Sequence, residues 1–448
     1  MSNPAAELKR ILTPAMVWGL GVGYVISGNY FGWNLGLAQG GAGGLAIATT
    51  FVIIMFVTFT FSYAELACAI PKAGGAFDYA TRALGQNIGF IAGLAQNIEF
   101  IFAPPAIAFA IGSYLNLFFP SVPTILFSLL AYLIFTGLNI YGIKAAATFE
   151  FFVTLIAVTG LLLFSATVLP HVKISNLSRN PLPFGIVGIF AAVPFAIWFF
   201  LGIEGVANLA EETVDPKRTM SRGFLSALFT LVLVCLLTFV GAVGVGGWEA
   251  VVFTKDGIVS DSPLPLAMQQ VEGVQSWSYR ILIVVGLFGL VASLNGLMLA
   301  AGRSSYEFGK LTFGSHYIGK IHPRFQTPAN ALLVNMGIGI LALFTGRTSE
   351  VITLSVFGAL TLYCISMVSV LRLRKKEPGM ERPFRVPYYP YFPIIALVIA
   401  LVALLSVAVY NLMLCLLYLL IIFGGYGIFK FRNRNLEASN TDDDKSNP

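Results

Sequence analysis

The sequence predicts an all-α membrane protein whose chain crosses the bilayer twelve times. Hydrophobic residues make up 57% of the 448 residues and charged residues only 11%, about half of the usual charged share, and the mean hydropathy is +0.82. Residues 11–64, 100–143 and 386–429 contain no Asp, Glu, Lys or Arg. Each of these stretches is long enough for two spans of roughly 20 apolar residues. A soluble core does not need so much apolar sequence, so a water-soluble globular fold is excluded.

The predicted spans follow one another through a single transmembrane domain, residues 1–437. A polar stretch, residues 438–448, comes after this domain and is expected to be a disordered tail in the cytoplasm. The twelve spans cover approximately residues 13–38, 44–70, 87–116, 122–140, 146–169, 184–208, 222–246, 280–308, 328–346, 350–371, 391–409 and 411–430.

The distribution of basic residues agrees with twelve spans. Lys and Arg in short loops gather on the cytoplasmic side of a membrane. If both termini are cytoplasmic, only five of the 27 basic residues lie in outer loops, namely Lys173, Arg179, Lys255, Arg280 and Arg347. We therefore expect a multi-pass protein of the cytoplasmic (inner) membrane. The net charge of +6 then reflects membrane topology, and we expect no nucleic-acid partner.

Spans 1 and 6 are both interrupted by glycines at mid-span, at residues 28–32 and 202–205. Broken backbone at membrane depth is tolerated only where it lines a cavity or is buried in protein, because lipid cannot satisfy free N–H and C=O groups. Matching interruptions in two halves of a chain predict inverted repeats with a small molecule bound between the broken helices.

Several motifs resemble the amino acid–polyamine–organocation (APC) transporter superfamily and occur in its order. They are Ser-Gly-Asn-Tyr-Phe-Gly at 27–32, Tyr-Ala-Glu-Leu-Ala at 63–67, Pro-Lys-Ala-Gly-Gly-Ala-Phe-Asp-Tyr-Ala at 71–80, Glu-Glu-Thr-Val-Asp-Pro-Lys-Arg-Thr-Met at 211–220 and Arg-Pro-Phe-Arg-Val-Pro-Tyr-Tyr-Pro at 382–390. The resemblance implies a five-plus-five inverted repeat with discontinuous helices 1 and 6. Repeat one would cover about 13–169, repeat two about 184–371, and two extra helices about 391–430.

Residues 23–37 look most like bacterial ethanolamine permeases. Amino-acid carriers of the superfamily typically have Gly-Ser-Gly or Gly-Thr-Gly at the first break, where exposed amides bind a carboxylate. The corresponding triplet here is Gly32-Trp33-Asn34. Because Trp33 fills the space of a carboxylate and Asn34 suits a hydroxyl, we expect import of a small amine, ethanolamine, by alternating access. The alternative is a small neutral amino-acid permease or exchanger of the same superfamily.

The resemblance also implies that backbone carbonyls at the two breaks hold the substrate amine, around Asn29 and Tyr30 and around Leu201 and Gly202. Trp198 stands one turn before the second break and matches an aromatic gate, with core packing as the alternative. Tyr30, Phe31 and Trp33 complete an aromatic lining suited to cation–π contact with an ammonium.

Two carboxylates within spans could add negative charge for the amine, Glu204 in the second break and Glu99 near Gln96 in span 3. Burying a carboxylate in a span costs roughly 2.5–3.5 kcal/mol, so such a residue usually faces the interior and has a function. Glu204 either takes part in transport or is a hydrogen-bonded buried acid. Glu99 either contacts the substrate or is a structural partner of helix 8 or 10.

The sequence leaves open whether substrate transport is coupled to the movement of an ion. Some proton-driven relatives carry a Lys midway along helix 5, and residues 153–158 contain none. Glu204 or Glu99 can carry a co-transported proton instead, or a cation can enter uncoupled, driven by the membrane potential.

The remaining polar residues suggest structural roles. We expect Glu65 to anchor the cytoplasmic mouth beside Lys72 or Arg82, Glu150 to be a solvated carboxylate at a span end, and Ser293 and Asn295 to form hydrogen bonds between helices. We expect no enzymatic activity, cofactor or metal, and a monomer or homodimer. A transporter-like sensor would need a signalling domain, which we do not expect here.

Overall fold

The computed structural model describes residues 10, 12–141, 146–312 and 317–445. These ranges contain α-helices, two 3-10 helices and, as the only β-type pairing among them, two isolated bridges. The all-α class is therefore confirmed. The first nine residues of the predicted domain and residues 446–448 of the predicted tail lie outside the described residues.

The α-helices include both long apolar segments and short helices in the connections. In chain order they are α1 (Pro14–Val25), α2 (Ser27–Tyr30), α3 (Trp33–Ala69), α4 (Ala76–Leu84), α5 (Gln86–Asn116), α6 (Thr124–Tyr141), α7 (Ala146–Val168), α8 (Ile174–Leu177), α9 (Gly185–Ala191), α10 (Val193–Trp198), α11 (Pro216–Gly246), α12 (Glu249–Val252), α13 (Pro263–Gln269), α14 (Trp277–Thr312), α15 (Ala329–Phe344), α16 (Thr348–Lys376), α17 (Tyr391–Tyr410) and α18 (Leu412–Lys445). The 3-10 helices are Leu169–His171 and Ile203–Glu212.

Ten helical segments within the described residues are long and apolar enough to cross a bilayer, and α1 and α15 are shorter apolar helices. Each predicted span falls on one or more of these segments. The arrangement of the spans as five-plus-five inverted repeats stays a prediction. The last helix, α18, continues past residue 437 to Lys445, and thus into the stretch for which the sequence predicts a disordered tail.

The interruption of span 1 lies at Phe31 and Gly32. α2 ends at Tyr30, Phe31 is extended, Gly32 has a φ of 89°, and α3 starts at Trp33. A positive φ of this size favours glycine, which has no Cβ to clash with the backbone. The break is thus shorter than the sequence predicts, because residues 27–30 form a helical turn.

The interruption of span 6 lies between α10 and the 3-10 helix that begins at Ile203. Gly202 has a φ of 96°, in the left-handed region. The two broken spans touch through their backbones, since a Cβ on Gly28 would overlap the carbonyl oxygen of Trp198. After its break, span 6 continues as the 3-10 helix Ile203–Glu212 rather than as an α-helix.

The central helices surround these two breaks. α5 packs against α16 and α14, and α1 packs against α11, α7 and α14. Large apolar side chains on α6, α17 and α18 point outward, including Leu130, Leu405 and Leu420, as expected for helices that face lipid.

The carboxylate of Glu65 has partners other than the predicted Lys72 or Arg82. It accepts two hydrogen bonds from Arg374, at 2.7 and 2.6 Å, and lies 3.2 Å from Arg382. Arg82 pairs instead with Glu377 at 2.6 Å. Glu65 thus has a structural role, and its location at the cytoplasmic mouth stays a prediction. The predicted partners are wrong, because the last turn of α16 and the segment after it return to the end of α3.

Two polar contacts join the helices near α1. Ser293 donates to the carbonyl of Gly23 at 2.6 Å and accepts from the amide of Ser27 at 2.9 Å, so it links α14 to both α1 and α2. Asn295 accepts from Asn139 at 3.0 Å, which links α14 to α6. The predicted interhelical hydrogen bonds of Ser293 and Asn295 are confirmed.

Candidate functional site

Glu99 and Glu204 come together at the level of the breaks although they are far apart in the sequence. Glu99 is 0% exposed and Glu204 is 1% exposed, and their carboxyl groups face each other. α5 carries Glu99, whose carbonyl accepts a hydrogen bond from Ser355 of α16 at 2.8 Å. Glu204 lies in the first turn after the break in span 6. The fold thus places two acidic groups side by side in a dry environment.

Most of the hydrogen-bonding capacity of this pair is unused. Glu204 Oε2 accepts from the hydroxyl of Tyr363 at 2.9 Å. Glu204 Oε1 and both carboxyl oxygens of Glu99 accept no hydrogen bond of ordinary geometry from the described residues, although the backbone amide of Gly202 lies near the Glu99 carboxyl group. No described Lys or Arg forms an ion pair with either group. Buried acidic groups without partners are costly. The arrangement is suited to a positively charged donor.

Two further polar groups at the breaks lack partners. Both side-chain polar atoms of Asn29, in α2, are buried without a hydrogen bond, and so is Nε1 of Trp198. The Trp198 indole lies over Gly32 and makes an edge-on contact with Phe31, with ring centroids 5.5 Å apart. An indole placed over the break in span 1 agrees with the predicted gate position, and its gating role stays a prediction.

Tyr30 and Trp33 make contacts within the scaffold. The Tyr30 hydroxyl donates to the carbonyl of Ala157 in α7 at 2.8 Å, and Trp33 stacks on Phe199 with centroids 5.8 Å apart. Two of the carbonyls expected to hold the amine, those of Asn29 and Tyr30 in span 1, already accept hydrogen bonds. Asn29 O accepts from Trp33 Nε1 at 3.3 Å, and Tyr30 O accepts from Tyr114 at 3.0 Å. In this conformation the carboxyl pair offers more free acceptors than the backbone of span 1.

The side chain of Asn34 forms two hydrogen bonds at the start of α3. Its Oδ1 accepts from the amide of Gly32 at 3.1 Å, and its Nδ2 donates to the carbonyl of Ser260 at 2.6 Å. The side chain therefore connects the break to the loop between α12 and α13. The Gly32 amide, a group that could bind a substrate carboxylate, is already satisfied.

The other predicted site residues lie at the edges of this region. Gln96, one turn before Glu99 on α5, donates to Ser304 at 3.1 Å and keeps a free Oε1. Leu201 is buried in the turn before Gly202. Their roles in substrate binding stay predictions.

Sequence reasoning missed Tyr363 and misplaced Glu150. Tyr363 is a single Tyr in an apolar span, and no local pattern indicates that it faces Glu204. Glu150 is 1% exposed rather than solvated, and it accepts from Asn295 Nδ2 at 3.3 Å. The prediction for Glu150 is wrong because its side chain faces α1 and α14, although it lies near the start of α7.

A family model for amino acid permeases matches residues 16–434. The match covers nearly the whole chain, and with the interrupted helices and the buried polar site it defines a class of protein. This chain belongs to the amino acid permease family of the APC superfamily. It is a multi-pass membrane transporter of small molecules and not an enzyme.

Relatives whose names give different substrates align with most of this chain. The chain is 27% identical to a methylthioribose transporter and 25% identical to a branched-chain amino acid permease, both from Bacillus subtilis (strain 168), with 86% and 85% of this chain and 86% and 84% of the relatives covered. It is 25% identical to a low-affinity putrescine importer of Escherichia coli (strain K12), with 83% of each covered. Family membership alone does not select the substrate.

Proposed function

We propose that the protein is a secondary-active permease that imports a small amine, ethanolamine in particular, across the cytoplasmic membrane by alternating access. The observation that carries this proposal is the buried Glu99–Glu204 pair, in which three carboxyl oxygens accept no hydrogen bond of ordinary geometry from the described residues. Both termini lie in the cytoplasm in this proposal, and the transporter acts as a monomer or homodimer.

The charge of the pair supports an ammonium as the recognised group. An ammonium carries three N–H donors and no acceptor, so it can pair with Glu99 and Glu204 together and satisfy oxygens that are otherwise unpartnered. Charge-assisted hydrogen bonds of this kind are about twice as strong as neutral ones. The side chain of Asn29, at the break in span 1, has a free acceptor, Oδ1, and free donors on Nδ2, which are available to a substrate hydroxyl group.

The same features disfavour a substrate carboxylate. A carboxylate near two acidic groups would be repelled, and the Gly32 amide already binds Asn34. The alternative, a small neutral amino-acid permease or exchanger, draws support from the relative that is a branched-chain amino acid permease. It predicts that alanine or serine competes with the substrate.

The pair also supplies a group that can hold a proton in the absence of substrate. Two carboxylates in contact repel each other strongly, so a proton shared between them relieves the repulsion. One shared proton leaves one negative charge on the pair for the ammonium, so co-transport of this proton on Glu99 and Glu204 is one route to coupled transport. Uncoupled entry of the cation is the other.

The test is uptake of labelled ethanolamine into proteoliposomes that contain the wild type, Glu204→Gln, Glu99→Gln or the control Glu249→Gln. Loss of one charge-assisted hydrogen bond costs about 1.5–3 kcal/mol, so each of the first two variants should lose about tenfold or more in transport. Glu249, in α12, lies away from the pair, and its variant should transport normally. Normal uptake by Glu204→Gln at normal expression would contradict the proposal.

Competition by serine separates the two candidate substrates. Serine differs from ethanolamine only by the carboxylate, so weak competition isolates the penalty for that group. If wild-type protein binds serine as well as ethanolamine, the amino-acid alternative replaces the amine assignment.

A further inference from the structure

α16 and α18 carry basic side chains that the proposed transport site does not use. Arg372 and Lys375 lie in the last turns of α16, and Lys430 and Arg432 lie on α18 at the end of its predicted span. None of the ion pairs formed between described residues involves these four side chains. Glu377, which follows the α16 group in the sequence, is already paired with an Arg of α4. The positive charge of the four is thus not neutralised by pairing within the described part of the chain.

α16 and α18 run in the same direction, because both are antiparallel to α5. From residue 355 to 358 of α16, the contact on α5 moves back from residue 99 to residue 95. From residue 425 to 429 of α18, the contact on α5 moves back from residue 94 to residue 90. The basic residues of both helices therefore lie at the same end of the bundle, where α5 begins. The predicted topology places this end in the cytoplasm.

The face of α16 that packs against α18 continues into the basic residues. Tyr418 of α18 stacks on Phe357, with ring centroids 5.3 Å apart, and donates a hydrogen bond to Thr361 at 2.7 Å. Residues three or four apart lie on one face of a helix. Successive steps of three or four residues lead from Thr361 to Arg372 and Lys375, so these two side chains share the face that Tyr418 contacts.

The basic residue Arg432 has the corresponding position on α18, because steps of four, three, four and three residues lead to it from Tyr418. Between these contacts and the basic residues, protein no longer covers the face of α16, since Val368 is 37% exposed. On α18, Leu420 and Phe423 are also exposed. Exposed apolar surface thus lies next to the basic residues, on the side toward the middle of the membrane.

This combination fits a phospholipid whose headgroup carries a net negative charge. A guanidinium group binds phosphate oxygens in a bidentate manner and an ammonium group binds them as a point charge. Basic clusters immediately cytoplasmic of a membrane span recognise anionic lipids. A free phosphate ion would use the charges of Arg372 and Arg432 but not the apolar surface at Val368. The general excess of basic residues on the cytoplasmic side does not require them to lie on two helix faces that pack together.

We propose that Arg372 and Lys375 of α16 and Arg432 of α18, with Lys430 at the edge, bind the headgroup of an anionic phospholipid in the cytoplasmic leaflet. An acyl chain of this lipid lies along Val368 and the exposed side chains of α18. The bound headgroup offsets the repulsion between two neighbouring helix ends of like charge and so holds α18 against α16. This inference does not depend on the identity of the transported substrate.

Native mass spectrometry of the purified full chain tests the site, with titrations of phosphatidylglycerol and of phosphatidylcholine that has the same acyl chains. The wild type should bind the first phosphatidylglycerol about tenfold more tightly than phosphatidylcholine, or better. Each basic residue beside an anionic headgroup strengthens binding about fivefold. Arg372→Gln combined with Arg432→Gln should therefore weaken phosphatidylglycerol binding about twenty-fivefold and change phosphatidylcholine binding little.

The matched control is Lys320→Gln combined with Arg324→Gln. Both residues are exposed in the loop before α15, on the same predicted side of the membrane, and the control removes the same charge. It should bind both lipids as the wild type does. Equal losses in the two double variants, or a wild type without a preference for phosphatidylglycerol, would overturn the proposal. If the first double variant does not fold, Lys375→Gln against Lys320→Gln decides in the same way, with an expected loss of about fivefold.

Inorganic phosphate separates a lipid site from a site for a free anion. A ligand that binds the folded state raises the unfolding temperature, so phosphatidylglycerol should stabilise the wild type in detergent more than it stabilises the Arg372→Gln, Arg432→Gln variant. Inorganic phosphate at the same concentration should have no such effect, because it cannot use the apolar surface. If phosphate stabilises the wild type as well as the lipid does, the ligand is a free anion and the proposal is overturned.

Discussion

The hydroxyl group of Tyr363 donates a hydrogen bond to Glu204 at 2.9 Å. It is the one described donor that reaches the Glu99–Glu204 pair from a side chain, and it ties α16 to the interrupted span 6. The phenol ring packs on Phe59 of α3, with centroids 4.5 Å apart. If span 6 moves relative to α3 and α16, this hydrogen bond must therefore break or the Tyr363 side chain must move with span 6.

Tyr363→Phe should lower transport and leave the fold intact. Hydrogen bonds between membrane helices contribute about 0.6 kcal/mol on average and up to about 1.7, which corresponds to a loss of about three- to twentyfold. Initial uptake rates in proteoliposomes measure the effect. Tyr418→Phe is the matched control, because it removes a tyrosyl hydrogen bond of 2.7 Å to Thr361 that involves neither Glu99 nor Glu204. Equal effects of the two changes would argue against a role of Tyr363 at the site.

Gly28→Ala should abolish transport, because the added methyl group would overlap the carbonyl of Trp198 and push the two broken spans apart. Gly137→Ala on α6 is the control, since a Cβ there meets nothing within 4 Å. Both variants should reach the membrane, and uptake separates them. Normal uptake by Gly28→Ala would mean that the close contact of spans 1 and 6 is not required for transport.

Glu65→Gln should destabilise the protein by about 3–5 kcal/mol, the usual cost of breaking a buried ion pair. Glu65 is 3% exposed and Arg382 is 4% exposed, so the remaining charge cannot reach water. Thermal unfolding in detergent measures the loss. Glu377→Gln, which breaks the exposed pair with Arg82, should cost about 1 kcal/mol or less. A small effect of Glu65→Gln would exclude this cluster as an anchor of α16 on α3.

The loop that binds Asn34 should respond to pH through Asp261. Burial raises the pKa of Asp261 to about 6, and a hydrogen bond from Thr348 opposes the shift. Because the folded-state pKa lies above the ordinary value of 3.8, the folded protein binds more protons than the unfolded chain between these values. The stability that the protonated carboxyl group of Asp261 contributes is therefore lost as the pH rises from about 4 to about 6.

Asp261→Asn should remove this part of the pH dependence. Unfolding temperatures of both proteins, measured in detergent across this range, give the comparison, and the same change at the exposed Asp256 is the control. An unchanged slope in Asp261→Asn would show that the carboxyl group of Asp261 does not titrate between folded and unfolded states as expected.

Much of the architecture follows from local sequence. Uncharged stretches determine where helices can cross the bilayer, and the glycines that take positive φ values, Gly32 and Gly202, lie within the interruptions that the sequence predicts. These features can be recognised in the sequence because a chain in lipid has few ways to form hydrogen bonds with its backbone N–H and C=O groups. The presence of buried acids in spans 3 and 6 is equally visible in the sequence.

Only the tertiary structure decided which polar groups meet. Glu99 faces Glu204, Tyr363 reaches Glu204 from a span 159 residues later, and Arg374 reaches Glu65 across 309 residues. Glu150 lies near the start of its helix, a position typical of a solvated residue, yet α1 and α14 cover it. Helical periodicity determines which side of a helix a residue occupies, but burial and partners depend on the helix packed against that side. That choice is made by long-range packing, which local sequence patterns do not encode.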